Sequence, residues 1–301
     1  MSQRVLITGA LGFTGRYVCD ALAHAGWEVW GTGHQLPGEE FPVGLAHYRR
    51  CDISDRAALR ALISEVQPGS VLHLAAIAFV GHGSAEDFYR VNLIGTRNLL
   101  EAIDATSQRI ESIVLASSAN VYGNGSSGAI TEERPGNPAN DYAVSKLAME
   151  YMARLWFDRL PILLVRPFNY TGVGQSERFL LPKIVAHIRR RAEFIELGNL
   201  DVARDFSDVR FVANAYRRLL ESKCSSETVN ICSGAPTSLK EVLVLAEEIS
   251  GHRIEVRVNP DFVRTNEVKS LCGDPSRLKE ITGVHDPRAL GDTLRWMIEA
   301  P

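Results

Sequence analysis

The chain has no apolar run approaching ~18 residues, the length a helix needs to cross a bilayer, so no membrane span is expected. It has no basic excess either. Its 33 Lys and Arg stand against 36 Asp and Glu, a formal net charge of −3, which gives no electrostatic footprint for nucleic acid. The short run Arg189-Arg190-Arg191 reads as a solvated helix end. The five cysteines form no C-x-x-C pair, and none of the eight histidines stands at ligand spacing from a cysteine. These spacings argue against a metal site and for reduced thiols in a cytoplasmic protein. No signal or transit segment precedes the first apolar stretch, Val5-Leu6-Ile7, which again points to the cytoplasm. Internal repeats and low-complexity tracts are absent.

What remains is an ordinary globular composition, 45% hydrophobic and 23% charged over 301 residues, enough for one large core or two modest ones. The first half alternates strand and helix. Strands are expected at residues 4–8, 27–32, 71–74, 112–117 and 162–166. Helices are expected at 15–25 (stopped by Gly26), from a cap at Ser54 to about 66, at about 86–106, and at 141–160. That alternation predicts right-handed crossovers and an α/β fold, a doubly wound parallel (Rossmann-type) sheet with helices on both faces. After Pro167 the rhythm changes, and turn residues cluster at 171–175. Ser238-Leu239-Lys240-Glu241 is a capping box opening a helix to Ser250, with Gly251 as its stop. The expected division is 1–167 plus about 209–232 as a dinucleotide-binding domain. About 168–208 plus 233–301 would form a smaller substrate-binding lobe.

Gly9-Ala10-Leu11-Gly12-Phe13-Thr14-Gly15 follows the first strand and opens the first helix. In that setting Gly9 permits a tight turn, Gly12 lets backbone approach a pyrophosphate, and Gly15 allows close helix–strand packing. The helix N-terminus offers unpaired N–H groups to the phosphates. An acid at the end of the second strand would hold the 2′-OH of NAD, but Gly33-His34 stands there, and Glu39 and Glu40 come later. Arg16 or His34 could meet a 2′-phosphate, so NADP(H) is favoured, with NAD(H) as the other candidate. Further along, Tyr142 and Lys146 stand one helical turn apart on one face. An ammonium there stabilises a phenolate and would bring the phenol toward a working pKa.

The glycine spacing, the Tyr142/Lys146 pair and the upstream Ser118 together resemble the extended short-chain dehydrogenase/reductases, the NAD-dependent epimerase/dehydratase family, along essentially the whole chain. The resemblance implies an NAD(P)-dependent oxidoreductase acting on a nucleotide sugar. It makes Ser118, Tyr142 and Lys146 catalytic: Ser118 would hydrogen-bond the reacting oxygen, Tyr142 move the proton, and Lys146 bind the nicotinamide ribose. It also implies that Asp52 and Ile53 contact the adenine and that Leu74, Ala75 and Ala76 back the cofactor, with Ser117, Pro167 and Phe168 beside it. Asn92 would be the asparagine that kinks the middle helix, and His73 a packed strand-end residue.

Dehydration would need an acid right after Ser118, where Ala119 and Asn120 stand. The runs Arg166-Pro167-Phe168-Asn169 and Arg204-Asp205-Phe206-Ser207-Asp208, with the Arg264 segment, resemble the GDP-4-dehydro-6-deoxy-D-mannose reductases of that family. That implies deoxysugar biosynthesis, with 4-keto reduction to GDP-D-rhamnose. Asn120, Asn169, Arg204, Arg264 and Glu267 would meet the substrate, and Phe79, Val80, His82 and Ser84 its hexose. GDP is favoured as carrier, with dTDP or UDP as others. The helices at 86–106 and 141–160 would pair with a second copy in a four-helix bundle. A nucleotide-sugar 4-epimerase with tightly bound NAD stays open, as does a non-catalytic dinucleotide sensor, although such sensors lack the Tyr or the Lys.

Overall fold

The short apolar runs of the first half become the central strands of one sheet. The structure, a computed structural model, describes residues 3–36, 41–79, 81, 84–123, 128–262 and 270–301. Its first half runs β1 (Arg4–Thr8), α1 (Phe13–His24), β2 (Glu28–Gly33), β3 (His47–Arg50), α2 (Arg56–Val66), β4 (Ser70–His73) and α3 (Ala85–Phe88). A π-helical stretch, Tyr89–Gly95, carries α3 into α4 (Thr96–Asp104). Then come β5 (Ser112–Ala116), a 3-10 turn at Ala119–Tyr122, α5 (Asp141–Arg154) and β6 (Ile162–Pro167). The second half runs β7 (Asn169–Thr171), α6 (Leu180–Arg189), β8 (Phe194–Leu197), β9 (Ala203–Asp208), α7 (Val209–Ser222), β10 (Glu227–Ile231) and β11 (Pro236–Ser238). It closes with α8 (Leu239–Ser250), β12 (Glu255–Val258), β13 (Ser270–Leu271), α9 (Ser276–Thr282) and α10 (Leu290–Glu299).

Seven strands in the order β10-β6-β5-β4-β1-β2-β3 pair in parallel. Side chains alternate across each strand, so one run of apolar residues feeds two cores. Val5 and Ile7 pack with α1 and α7 on one face, while Leu6 packs with α2, α4 and α5 on the other. β10 joins the edge beside β6, although it arrives after two strands of a different sheet. That smaller sheet is β11-β9-β13, with β7 paired to β9. A third apolar cluster, drawn from α6, α8, α10 and β8, packs in the second half.

Several boundaries move from the sequence expectation. Asp55, not Ser54, caps α2, accepting from the N–H groups of Ala57 and Ala58, because Asp52 engages the hydroxyl of Ser54. α1 begins at Phe13, since Gly12 is its cap. α5 ends at Arg154, although apolar spacing continues. The N–H groups of Leu155, Trp156, Phe157 and Arg159 turn back to carbonyls three residues earlier, which tightens the backbone while Trp156 stays buried. The capping box at Ser238 and Glu241 forms as read. Among the described residues no helix is long and apolar enough to cross a membrane.

Candidate functional site

The chain runs outward from β1 to β2 and β3 on one side, and to β4, β5 and β6 on the other. A crevice therefore opens above the C-terminal ends of β1 and β4. Gly9 stands there at φ +73°, where a Cβ would lie 2.9 Å from the backbone nitrogen of Ala75. A Cβ on Gly15 would come within 2.6 Å of the carbonyl oxygen of Ala10. Gly12 caps α1 without any side-chain bond, and the first turn holds no acid. The bare N–H groups and positive dipole end at this crevice fit a diphosphate. Phe13 stacks on Tyr170 with centroids 6.2 Å apart, and the Thr14 hydroxyl is 2.8 Å from the Tyr170 hydroxyl. Arg16 is exposed and bonds the Leu11 carbonyl.

His34 is exposed at the end of β2, and its carbonyl accepts from Arg50 Nε at 2.8 Å. Asp52 is exposed, and the backbone and hydroxyl of Ser54 hold its carboxyl below the usual range. Ile53 is buried against Gly95. Leu74, Ala75 and Ala76 are half-buried at the end of β4. Asn92, fully buried in the π-helical stretch, is bonded both ways to the backbone of Ile77 and donates to Ser145 Oγ at 3.0 Å. The kink expected there is this widened turn.

Ser118, Tyr142 and Lys146 converge at the end of β5. Tyr142 and Lys146 share the buried face of α5, and Lys146 Nζ donates to the Ala116 carbonyl at 2.8 Å. The Ser118 hydroxyl and the Tyr142 phenol are hydrogen-bonded. The backbone N–H and side-chain amide of Asn120 both donate to Ser118 Oγ at 3.2 Å, which leaves its O–H directed elsewhere. Burial pushes the Tyr142 phenol up to about 12, with the Ser118 bond opposing and Tyr170 adding to the rise. The expected lowering by Lys146 is thus outweighed, because the phenol is sealed from water. Burial brings Lys146 down to about 8 against the charge of Glu150. His73 is locked between the hydroxyls of Thr8 and Thr96 at 2.7 and 2.8 Å, and burial brings it down to about 3.

The neighbouring serine is engaged differently: Ser117 Oγ donates to Glu150 at 2.5 Å. Pro167 and Phe168 are buried, the latter against Tyr122. On the second half's side Phe79 is half-buried, edge-on to Phe179, with the exposed Arg178 6.0 Å from its ring centroid. Asn169 is exposed on β7. Arg204 sits half-buried on β9 and donates to the Ala203 carbonyl at 2.9 Å. Ser84 caps α3. Val80, His82, Arg264 and Glu267 lie outside the described residues. Sequence reasoning passed over Tyr170, Arg178, Glu150 and the carboxylate of Asp205. Asp205 accepts from the N–H groups of Ser233, Gly234 and Gly273. Only Glu150 carried a signal, its place one turn beyond Lys146.

A separate face of α5 exposes Val144, Tyr151 and Leu155, and Ile94 is exposed on the adjoining π-helical stretch.

The family model described as GDP-mannose 4,6 dehydratase matches residues 6–297. The GDP-6-deoxy-D-talose 4-dehydrogenase of Aggregatibacter actinomycetemcomitans is 33% identical, the match covering 93% of this chain and 92% of that protein. The GDP-6-deoxy-D-mannose reductase of Pseudomonas aeruginosa is 32% identical over 99% of this chain and 97% of its own. A solved structure from Burkholderia cenocepacia J2315, described as a candidate epimerase, is 48% identical with a TM-score of 0.94, covering 99% of this chain and 98% of that one. RMD from Pseudomonas aeruginosa, solved with NADPH, is 31% identical with a TM-score of 0.85, covering 99% and 97%.

Proposed function

The chain belongs to the family described as GDP-mannose 4,6 dehydratase, and within it we propose an NADP(H)-dependent, cytoplasmic reductase of a nucleotide-linked 4-keto-6-deoxy-hexose. GDP-4-dehydro-6-deoxy-D-mannose, giving GDP-D-rhamnose, is the foremost substrate. One observation carries the reading. Tyr142 is hydrogen-bonded to Ser118 one turn from Lys146, while the next two side chains are Ala119 and Asn120. Dehydration needs a group that takes the C5 proton. Alanine has none, and the asparagine amide is occupied in orienting Ser118.

Residues 1–167 with about 209–232 are the part proposed to hold the dinucleotide, and about 168–208 with 233–301 the part proposed to hold the sugar nucleotide. The glycine cradle at Gly9, Gly12 and Gly15 fits a dinucleotide diphosphate, and a bound nicotinamide would supply hydride exchange at the sugar's C4. A phenol held at about 12 is protonated at neutral pH, which suits Tyr142 to donate to the developing alkoxide rather than to accept from an alcohol. Ser118 adds a second hydrogen bond at that oxygen. Lys146 holds the nicotinamide ribose. Arg204, with Asn169 and Arg264, takes the diphosphate side of the sugar nucleotide, where guanidinium forks match phosphate oxygens. NADP(H) is favoured because Gly33 and His34 at the end of β2 leave no carboxylate to repel a 2′-phosphate, and Arg50 lies beside His34. A relative solved with NADPH supports the same choice.

The assay is direct. The purified protein should come free of nicotinamide and oxidise added NADPH with a 4-keto-6-deoxy GDP-sugar, and with dTDP- or UDP-sugars more slowly. The second reading, a nucleotide-sugar 4-epimerase with retained NAD, draws on the 48% identical candidate epimerase; a tightly held nicotinamide in the ultraviolet spectrum would establish it. The exposed positions 144, 151 and 155 fall on one stripe of α5, and a second copy meeting that stripe would complete a four-helix bundle. Leu155→Arg should yield a monomer in sedimentation, and an unchanged oligomer refutes that interface.

A further inference from the structure

Beneath the site lie buried charges that the proposed mechanism leaves unused. Glu150 is 1% exposed, one turn beyond Lys146 on α5. Its Oε1 accepts from Ser117 Oγ at 2.5 Å and from Arg166 Nε at 2.9 Å, and its Oε2 accepts from Arg166 Nη2 at 2.6 Å. Arg166, 4% exposed, stands over the Tyr122 ring at 4.7 Å and reaches the Glu132 carbonyl. A fork-to-fork pair is strong and geometrically fixed. Taken out of water, however, it adds little net stability over an apolar replacement, so stability alone does not account for it. Its placement does. Ser117 precedes Ser118 at the end of β5, Glu150 shares α5 with Tyr142 and Lys146, and Arg166 belongs to β6.

We propose that Glu150 is a positioning residue: through Ser117 it fixes the strand end that presents Ser118, and through its charge it keeps Lys146 an ammonium at neutral pH. The proposal rests on the reading of Tyr142 and Lys146 as the working pair. The groups around Lys146 are few. Tyr142 and Glu150 face it from α5, and His73 acts on it from β4. Arg166 of β6 stands behind Glu150, while Tyr170 of β7 and Tyr216 of α7 act on Tyr142. Among these Glu150 is the carboxylate whose charge offsets the burial of the ammonium.

Glu150→Gln keeps an acceptor for Ser117 and removes the charge. At saturating NADPH and sugar nucleotide, the wild-type pH profile of kcat should lose activity as Lys146 deprotonates near pH 8. In Glu150→Gln that alkaline limb should move about one unit lower, with kcat at pH 8 about tenfold down and KM for the sugar little changed. Glu150→Asp should bring the limb back toward wild type. NADPH binding, followed by fluorescence across the same pH range, should show the same displacement, so the result is readable whichever sugar is the substrate. If the single variant fails to fold, Glu150→Gln/Arg166→Met leaves no lone buried guanidinium and carries the same expectation. A folded variant whose limb and NADPH profile stay at the wild-type pH overturns the role of Glu150 and leaves the reductase reading standing. Wild-type protein that binds NADPH but reduces no 4-keto sugar nucleotide overturns the reductase reading instead, and the NADPH profile still decides the role of Glu150.

Discussion

The floor of the cleft and the part of the chain beyond β6 hold their polar groups in opposite ways. On the floor, Ser118, Tyr142, Lys146, Glu150, Arg166 and His73 are all buried, and each is bonded to protein. Beyond β6, Asn169 and Arg178 are exposed and Arg204 is half-exposed. The buried exception there is Asp205, whose oxygens are taken by the turn at Ser233 and Gly234 and by Gly273. Groups fixed out of water act strongly on one another and need no rearrangement during reaction. Groups left in water can be exchanged for ligand oxygens. The difference assigns turnover to the floor and substrate affinity to the opposite wall.

The sharpest way to break that division is Tyr142→Phe. Turnover should fall by ~10²-fold or more while NADPH and sugar nucleotide still bind, and near-wild-type kcat would end the assignment. Arg204→Ala should act on the other wall, raising KM for the sugar nucleotide by about tenfold with NADPH affinity unchanged. If both ligands weaken together, Arg204 serves the fold. Asp205→Asn should cost about 1–3 kcal/mol in urea unfolding, because three backbone N–H groups lose a charged acceptor. It should weaken the sugar nucleotide less than Arg204→Ala does.

The smallest effect concerns acid. His73 is held near 3 in the fold against an ordinary 6.5, so between those values the unfolded chain binds the extra proton. Stability should therefore fall as pH drops from 6.5 toward 3, by up to ~1.4 kcal/mol per unit from this group. In His73→Gln the decline should be shallower, and an identical slope in the two proteins would show that His73 contributes nothing.

The same division governs what the sequence could tell. β1 was legible to the residue, because an apolar run ends abruptly at Gly9. So were the Ser238 capping box and the meeting of Ser118, Tyr142 and Lys146, because each is encoded by spacing within one element or its cap. The end of α5 was not: Trp156 and Leu160 keep helical spacing and burial after the backbone has tightened out of the helix. The cap of α2 depended on whether Asp52 or the helix would engage Ser54, a competition no pattern displays. Tyr170 and Thr14 are 156 residues apart in the chain, and Asp205 and Gly273 are 68 apart. Contacts of that reach exist only once the strands are assembled. The phenol of Tyr142 is the instructive case, since the helical spacing to Lys146 was right and the direction of its pKa shift was decided by burial.

The widened turn at Tyr89–Gly95 sets a limit on how this gene can drift. Dropping a single codon within it would restore ordinary helical winding locally. It would also rotate all of α4 by roughly 100° about its axis. Thr96 would then swing away from His73 and Asn98 away from the Ile53 carbonyl, two grips on strand ends that border the cleft. Length changes of one residue here should therefore be purged even where substitutions on the outer surface pass, and an insertion–deletion scan would see the segment as a sharp gap in tolerance.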